Sequence, residues 1–180
     1  MGVSPITYIM SDHGAGPSPS EGSPIAVIDI DGVLADVRHR LHHIAGRPKD
    51  WDSFFAEVDR DPLLAAGARA VAQASADGLR IVYLTGRPER SRSATRAWLE
   101  RWHLPAGRLV MRSDRDRRPA RMFKVEQLER LSAVSDVAFL LDDDDAVCDS
   151  AERAGFTVRR ADWVDRGEDL RTAQDVTGRT

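Results

Sequence analysis

A single cysteine, Cys148, occurs in 180 residues, so no intramolecular disulfide can form, and a reducing, cytoplasmic setting is expected. Lysine is nearly absent: of 26 cationic side chains only Lys49 and Lys124 are lysine, and the rest are arginine. Aromatic residues make up 6% of the chain, and no apolar run reaches the ~18 residues of a membrane-spanning helix. Residues 1–10 have neither a basic start nor a long apolar core, so a secretory signal is not expected. With 29 acidic residues against 26 basic ones the net charge is −3. That excludes a generally basic, histone-like nucleic-acid binder and leaves room for local basic patches. What remains is the composition of one globular domain, 42% hydrophobic and 31% charged. A chain of this length buries about two-thirds of its unfolded surface without a disulfide or structural metal.

Residues 11–24, SDHGAGPSPSEGSP, carry no apolar period, and 1–24 are expected to form a disordered N-terminal arm. From residue 25 short apolar runs alternate with amphipathic stretches. Strands are predicted at 25–30, 79–84, 108–111, 137–141 and 156–159, and helices at 67–77, 89–103, 122–134 and 146–154. In the second of these helices Ala94, Ala97, Trp98 and Leu104 are expected inside; in the third, Met122, Val125, Leu128 and Leu131. Near-continuous apolar strands alternating with helices predict an α/β fold. It is a doubly wound parallel sheet of about five strands, with its ligand site beyond the carboxyl ends of the strands. The segment 35–64 is too long for a crossover and reads as a small inserted cap, helical around 51–58. Residues 165–180 read as a polar C-terminal tail.

Four groups of residues carry the chemistry. Asp29-Ile30-Asp31-Gly32 ends the first strand, where carboxylates at i and i+2 share a face and the glycine permits a sharp turn. Such a pair can divide labour between nucleophile or metal ligand and proton donor; the alternative is a polar turn. Thr85-Gly86-Arg87 ends the second strand and offers a hydroxyl, a bare amide and a guanidinium, either as phosphate donors or as an ordinary capped turn. Lys124 stands out in a chain with so little lysine, and reads either as a cation beside clustered acids or as a solvated side chain. Asp142 to Asp145 follow the fourth strand. Oxygen ligands of this kind suit Mg²⁺ rather than zinc, while Asp144 and Asp145 suit the start of the next helix.

The order DxDG, TGR, Lys, DD resembles the haloacid dehalogenase (HAD) superfamily of aspartate-nucleophile phosphohydrolases, over about 25–158. A receiver domain uses similar residues in a different order. More narrowly, DIDGVLADVRHRLHHIAG, DWDSFF, LTGRPERSRSATRAWLE, LVMRSDRDRRPARMFK and LLDDDDAVCDSAERAGF are similar to the phosphatase domain of polynucleotide kinase-phosphatases and its stand-alone bacterial relatives. The resemblance implies a phosphomonoesterase with Asp29 as nucleophile and Asp31 as general acid–base. Thr85, Gly86 and Arg87 would bind the phosphoryl group, with Arg118 and Lys124 assisting. Mg²⁺ would rest on Asp29, the main-chain carbonyl of Asp31, and Asp142 or Asp143. The implied partner is a nucleic-acid 3′-phosphate end or a phosphorylated nucleotide, with no membrane and with room for a separate kinase or ligase. No GxxxxGKS or GxxxxGKT loop occurs, so only the phosphatase half is inferred. The chain departs from the relatives at Ala120 and Arg121, where acids are frequent, and at Asp144, where arginine is usual. A mononucleotide phosphatase and a catalytically silent phosphate-binding scaffold are the alternatives.

Arg108, Arg112, Arg115, Arg117, Arg118 and Arg121 crowd one loop and its flanks. With Asp114 and Asp116 between them they form either a phosphate-binding or a self-paired loop. His39, His42 and His43 are expected to line the cap rather than hold a metal. Trp51, Phe54 and Phe55 are expected in the cap core, and Cys148 as a buried small residue.

Overall fold

The computed structural model describes Ser20 and residues 22–164. Most of the expected N-terminal arm and the expected C-terminal tail therefore lie outside the described residues. β1 (Ile25–Ile28) is buried along its whole length. It lies in a sheet with β2 (Arg80–Pro88), β3 (Gly107–Arg112), β4 (Val137–Asp142) and β5 (Val158–Arg160). The five strands run in the order β3-β2-β1-β4-β5, and every neighbouring pair is parallel. The expected doubly wound sheet is present.

Alternating β1 side chains go to opposite faces. Ala26 and Ile28 join Val71 and Ala74 of α3 (Ala65–Ala76) and Trp98 and Leu99 of α4 (Arg92–Arg101). Ile25 and Val27 join Phe123, Leu128 and Leu131 of α5 (Ala120–Ser132) and Val147 and Ala151 of α6 (Asp145–Arg153). A strand covered on both faces must be apolar throughout, hence IAVI without alternation.

Two helical faces differ from the sequence reading. In α5 the buried residues are Ala120, Phe123, Lys124, Leu128 and Leu131, and Met122 is exposed. The helix is rotated so that Lys124 faces the strand ends, and the expected Met122–Val125 stripe gives way to it. In α4 the buried residues are Thr95, Trp98 and Leu99, while Ala97 is exposed. Thr95 takes an inward position because its hydroxyl accepts from Arg87 Nη1 at 3.3 Å. The predicted helix start at residue 89 is a separate 3₁₀ turn, Glu89–Ser91.

Between β1 and α3 lie α1 (His42–Ala45), α2 (Trp51–Ala56) and two 3₁₀ turns. Val37, Ile44, Trp51, Phe54, Phe55 and Val58 give this insert its own small core. Trp51 stacks on Phe55 at 5.9 Å, and Phe54 meets both rings edge-on. Asp50 Oδ1 accepts from Ser53 N at 2.9 Å. A helix as short as α2 is held by that N-terminal contact and by packing rather than by propensity.

The chain leaves β1 through a tight turn in which Ile30 O accepts from the amides of Leu34 and Ala35, both at 2.8 Å. Gly67 seats α3 directly on this turn, since a Cβ there would fall 1.9 Å from Val33 O. Gly67→Ala is therefore expected to destabilise the protein by about 1–3 kcal/mol. Gly46→Ala, at a position with nothing within 4 Å of the added carbon, is expected to leave stability nearly unchanged. Urea unfolding of the two variants checks this.

Candidate active site

Asp29 follows β1 directly, and its amide donates to Leu141 O of β4 at 2.9 Å. That bond sets it beside Asp142, the last residue of β4, and Asp143. One carboxylate oxygen from each of Asp29, Asp142 and Asp143 lies within 4.8 Å of the others, and all three residues are buried. From the opposite layer Lys124 Nζ reaches Asp29 Oδ2 at 2.9 Å and Asp142 Oδ2 at 2.7 Å. Gly32 completes the cradle: its φ is +81°, and a Cβ there would collide with Asp143 Oδ2 at 1.7 Å. The glycine in the first motif thus makes room for a side chain of the last one.

Burial pushes the Asp29 carboxyl up to about 7, against the attraction of Lys124 and with the repulsion of Asp142 and Asp31. Lys124 moves the other way from what burial alone would give, because Asp142 and Asp29 hold its proton. Asp29 Oδ1 has no hydrogen-bond partner. Lys124 is the one cation set against three buried carboxyl groups, and a deficit of this kind among oxygen donors fits a hard divalent cation. Asp29, Asp142 and Asp143 are the residues that would hold it.

Asp31 has a different environment. Its Oδ1 accepts from Arg87 Nε at 2.9 Å, from Arg87 Nη2, and from Arg40 Nη2 at 3.0 Å. Both guanidiniums are also bound by Asp61: Arg40 Nε at 2.7 Å and Arg87 Nη2 at 2.6 Å. Arg40, Arg87 and Asp61 are 1% exposed or less. Burial would raise the Asp31 carboxyl, but Arg87 and Arg40 outweigh it and hold the group below the usual carboxylate range. Asp31 Oδ2 is left without a hydrogen-bond partner. Sequence reading missed Arg40 and Asp61: Arg40 lies unmarked inside the stretch DIDGVLADVRHRLHHIAG, Asp61 lies outside every quoted stretch, and only the tertiary fold brings them to Asp31.

The remaining expected residues divide. Thr85 is buried and its Oγ1 accepts from Arg87 N at 3.2 Å. Gly86 lines a small cleft with Phe55, Pro88 and Arg112. Arg87 is buried, and its Nε, Nη1 and Nη2 all donate within the protein, to Asp31, Asp61 and Thr95. Arg118 is half exposed and pairs with Asp116 at 2.6 Å and Glu126 at 2.8 Å. Asp144 accepts from Ala146 N at 2.8 Å and opens α6, as expected. Cys148 is buried and its thiol is pushed up to about 12 by burial, which makes it a poor nucleophile. His39 Nε2 lies 2.8 Å from Asp61 Oδ1, on the outer side of the arginine network.

The family model "Polynucleotide kinase PNKP phosphatase domain" matches residues 23–165. Among solved structures, a chain of the "Pnkp1/Rnl/Hen1 complex" shares 22% identity at a TM-score of 0.67, over 91% of this chain and 55% of that one. A class C acid phosphatase from Bacillus anthracis with tungstate bound shares 20% at 0.58, over 71% and 54%. A dehalogenase shares 11% at 0.52, over 83% and 90%. The chain thus spans about half the length of the first of these relatives. No curated protein matches the sequence. Among the described residues no helix is long and apolar enough to cross a membrane.

Three outcomes are expected from the electrostatics. Asp61→Ala leaves two buried guanidiniums short of a counter-ion and should cost about 3–5 kcal/mol by chemical denaturation. In metal-free protein the folded state keeps a proton on Asp29 up to about pH 7, which the unfolded chain has released above the ordinary 3.8. Stability should therefore fall as pH rises from about 5 to about 7 and level off above. An added divalent cation should raise the melting temperature more at about pH 8 than at about pH 6. A melting temperature independent of both would contradict the assignment.

Proposed function

The chain belongs to the family of polynucleotide kinase phosphatase domains within the HAD phosphatases and is a phosphoric monoester hydrolase; from that premise we propose that it removes 3′-phosphates from polynucleotide ends. The observation that carries the chemistry is the buried pair of carboxylates held by one lysine, with an oxygen of Asp29 left open beside them. Asp29 attacks phosphorus in line. The Asp29 O–P bond forms, the ester P–O bond breaks, and the leaving sugar oxygen takes the proton of Asp31. Water then attacks the aspartyl-phosphate, Asp31 accepts its proton, the acyl O–P bond breaks, and inorganic phosphate leaves.

Arg40 and Arg87 keep Asp31 ionised before substrate enters. A dianionic phosphoryl group beside it acts in the opposite sense and raises its proton affinity, so Asp31 takes a proton from solvent as substrate binds, gives it to the leaving oxygen, and then serves as base. The side-chain contacts of Arg87 favour a positioning role over direct phosphate binding. Thr85, the Gly86 amide and Lys124 are left to meet the transferring oxygens. Asp29, Asp142 and Asp143, with the carbonyl of Asp31, would hold Mg²⁺, which when bound would supply positive charge at the phosphoryl group. Arg118, paired with Asp116 and Glu126, would reach substrate only by exchanging those partners.

The insert between β1 and α3 serves as the cap over this mouth, and its small size suits a polymer end. The Pnkp1 chain it resembles is part of a Pnkp1/Rnl/Hen1 RNA repair complex, which supports an end-healing role beside a separate kinase or ligase. The test is divalent-cation-dependent phosphate release from a 3′-phosphorylated oligonucleotide and from the matching 3′-mononucleotide. The oligonucleotide should be preferred, and Asp29→Asn should lose at least about 10³-fold in turnover while keeping its fold. Release from the mononucleotide alone would move the substrate to free nucleotides. Near-normal activity of Asp29→Asn would remove the nucleophile assignment.

A further inference from the structure

Arg112, the last residue of β3, is 2% exposed. Its Nη1 donates to Arg118 O at 2.9 Å, and its guanidinium lies 4.9 Å from the centroid of the Phe123 ring. Its Nε and Nη2 have no hydrogen-bond partner. The other buried cations among the described residues, Arg40, Arg87 and Lys124, each have carboxylate oxygens within 3.0 Å. The carboxylate that could serve Arg112, Asp116, gives both oxygens to Arg118. Burial lowers the Arg112 guanidinium to about 10, which still leaves it charged near neutrality. Buried charged donors without acceptors are costly, and a ligand that brings oxygens removes that cost.

In the sheet register Arg112 stands opposite Pro88, next to Thr85-Gly86-Arg87 at the irregular end of β2. With Gly86, Phe55, Arg90 and Arg117 it lines a cleft of about 20 Å³, room for roughly one water, between the insert and the strand ends. The acids at its rim, Asp114 and Asp116, are paired with Arg90 and Arg118. Arg90 closes the cleft: it lies 5.7 Å over the Phe55 ring and bridges Asp52 of the insert, at 2.8 Å, to Asp114, at 3.4 Å. All three bridging groups are exposed, and such pairs are worth about 0–1 kcal/mol each. A polyanion arriving there competes for Arg90 and opens the way to Arg112.

We propose that Arg112 is a specificity-determining residue that binds a second anionic group of the substrate, a phosphodiester adjoining the monoester taken by Asp29. This rests on the phosphatase reading and deepens it, since one anion serves any phosphomonoester while two select a polynucleotide end.

The test uses a short single-stranded oligonucleotide ending in a 3′-hydroxyl, which carries phosphodiesters but nothing to cleave. Its binding to the full chain, to Arg112→Gln and to Arg112→Lys is followed by fluorescence anisotropy across a salt series, with thermal melting to establish folding. Arg112→Gln should weaken binding roughly tenfold, the loss expected for a hydrogen bond to a charged group. It should also reduce the slope of log affinity against log salt by about 0.7. Arg112→Lys should recover the slope and part of the affinity. Equal affinity and slope for folded wild type and Arg112→Gln would overturn the proposal, as would wild type that does not bind the oligonucleotide. A lowered melting temperature with an unchanged slope would reduce Arg112 to a structural role and overturn it too. If Arg112→Gln does not fold, Arg112→Lys with lost slope and affinity overturns the proposal. Absence of phosphate release from any monoester by wild type would sink the phosphatase reading separately, without touching this binding comparison.

Discussion

Lys124 is the cation on which the mouth of the sheet depends. Parallel pairing of β1 with β4 forces Asp29 against Asp142 and Asp143, and three buried carboxylates within a few ångströms repel one another. The ammonium of Lys124 offsets part of that repulsion by touching two of them at once. A compact charge on a flexible stem suits this better than a planar fork, which explains a lysine in a chain that otherwise uses arginine. The requirement reaches back into the fold. It sets the rotation of α5, and through α5 it decides that Met122 goes to solvent while Phe123, Leu128 and Leu131 fill the core.

Two carboxylates separated by one residue end up with opposite proton affinities. Asp29 is raised by burial and by its acidic neighbours, and Asp31 is lowered by two arginines. Pairs pushed apart in this way are how a site assigns different work to chemically identical groups. The assignment comes from surroundings that lie far off in sequence: α5 and β4 for Asp29, the insert and the end of β2 for Asp31.

The strands and the order of the motifs were legible because both are local signals. IAVI, IVYL and FLLD are apolar runs ending in polar residues, and the chemistry sits at those ends. Helix faces were less legible where a functional side chain displaces the apolar stripe, as Lys124 does in α5 and Thr95 in α4. Arg40 and Asp61 were not legible at all. In sequence they are one charged residue among many in VRHRLHH and one acid before a proline, and nothing local marks them as buried. The arginine cluster around 108–121 was visible, but its division was not. Arg118 is self-paired with acids, whereas Arg112 is buried with two nitrogens unsatisfied.

The arginine network also constrains how the site can open. Arg40 belongs to the insert, donates to Phe54 O at 3.4 Å and lies 4.1 Å from the Phe54 ring. Asp61 ends the insert, and its carbonyl accepts from Trp98 Nε1 of α4 at 2.7 Å. Lifting the insert as a body would therefore separate Arg40 and Asp61 from Asp31 and Arg87, exposing or orphaning charges whose partners are worth several kcal/mol. It would also release Asp31 from the geometry that keeps it ionised. At the other edge, Arg90 and its two acids are solvent-exposed and easily exchanged. The cheaper opening is a parting between Phe55 and the loop after β3, which leaves Asp31 held and leads past Arg112 to Gly86.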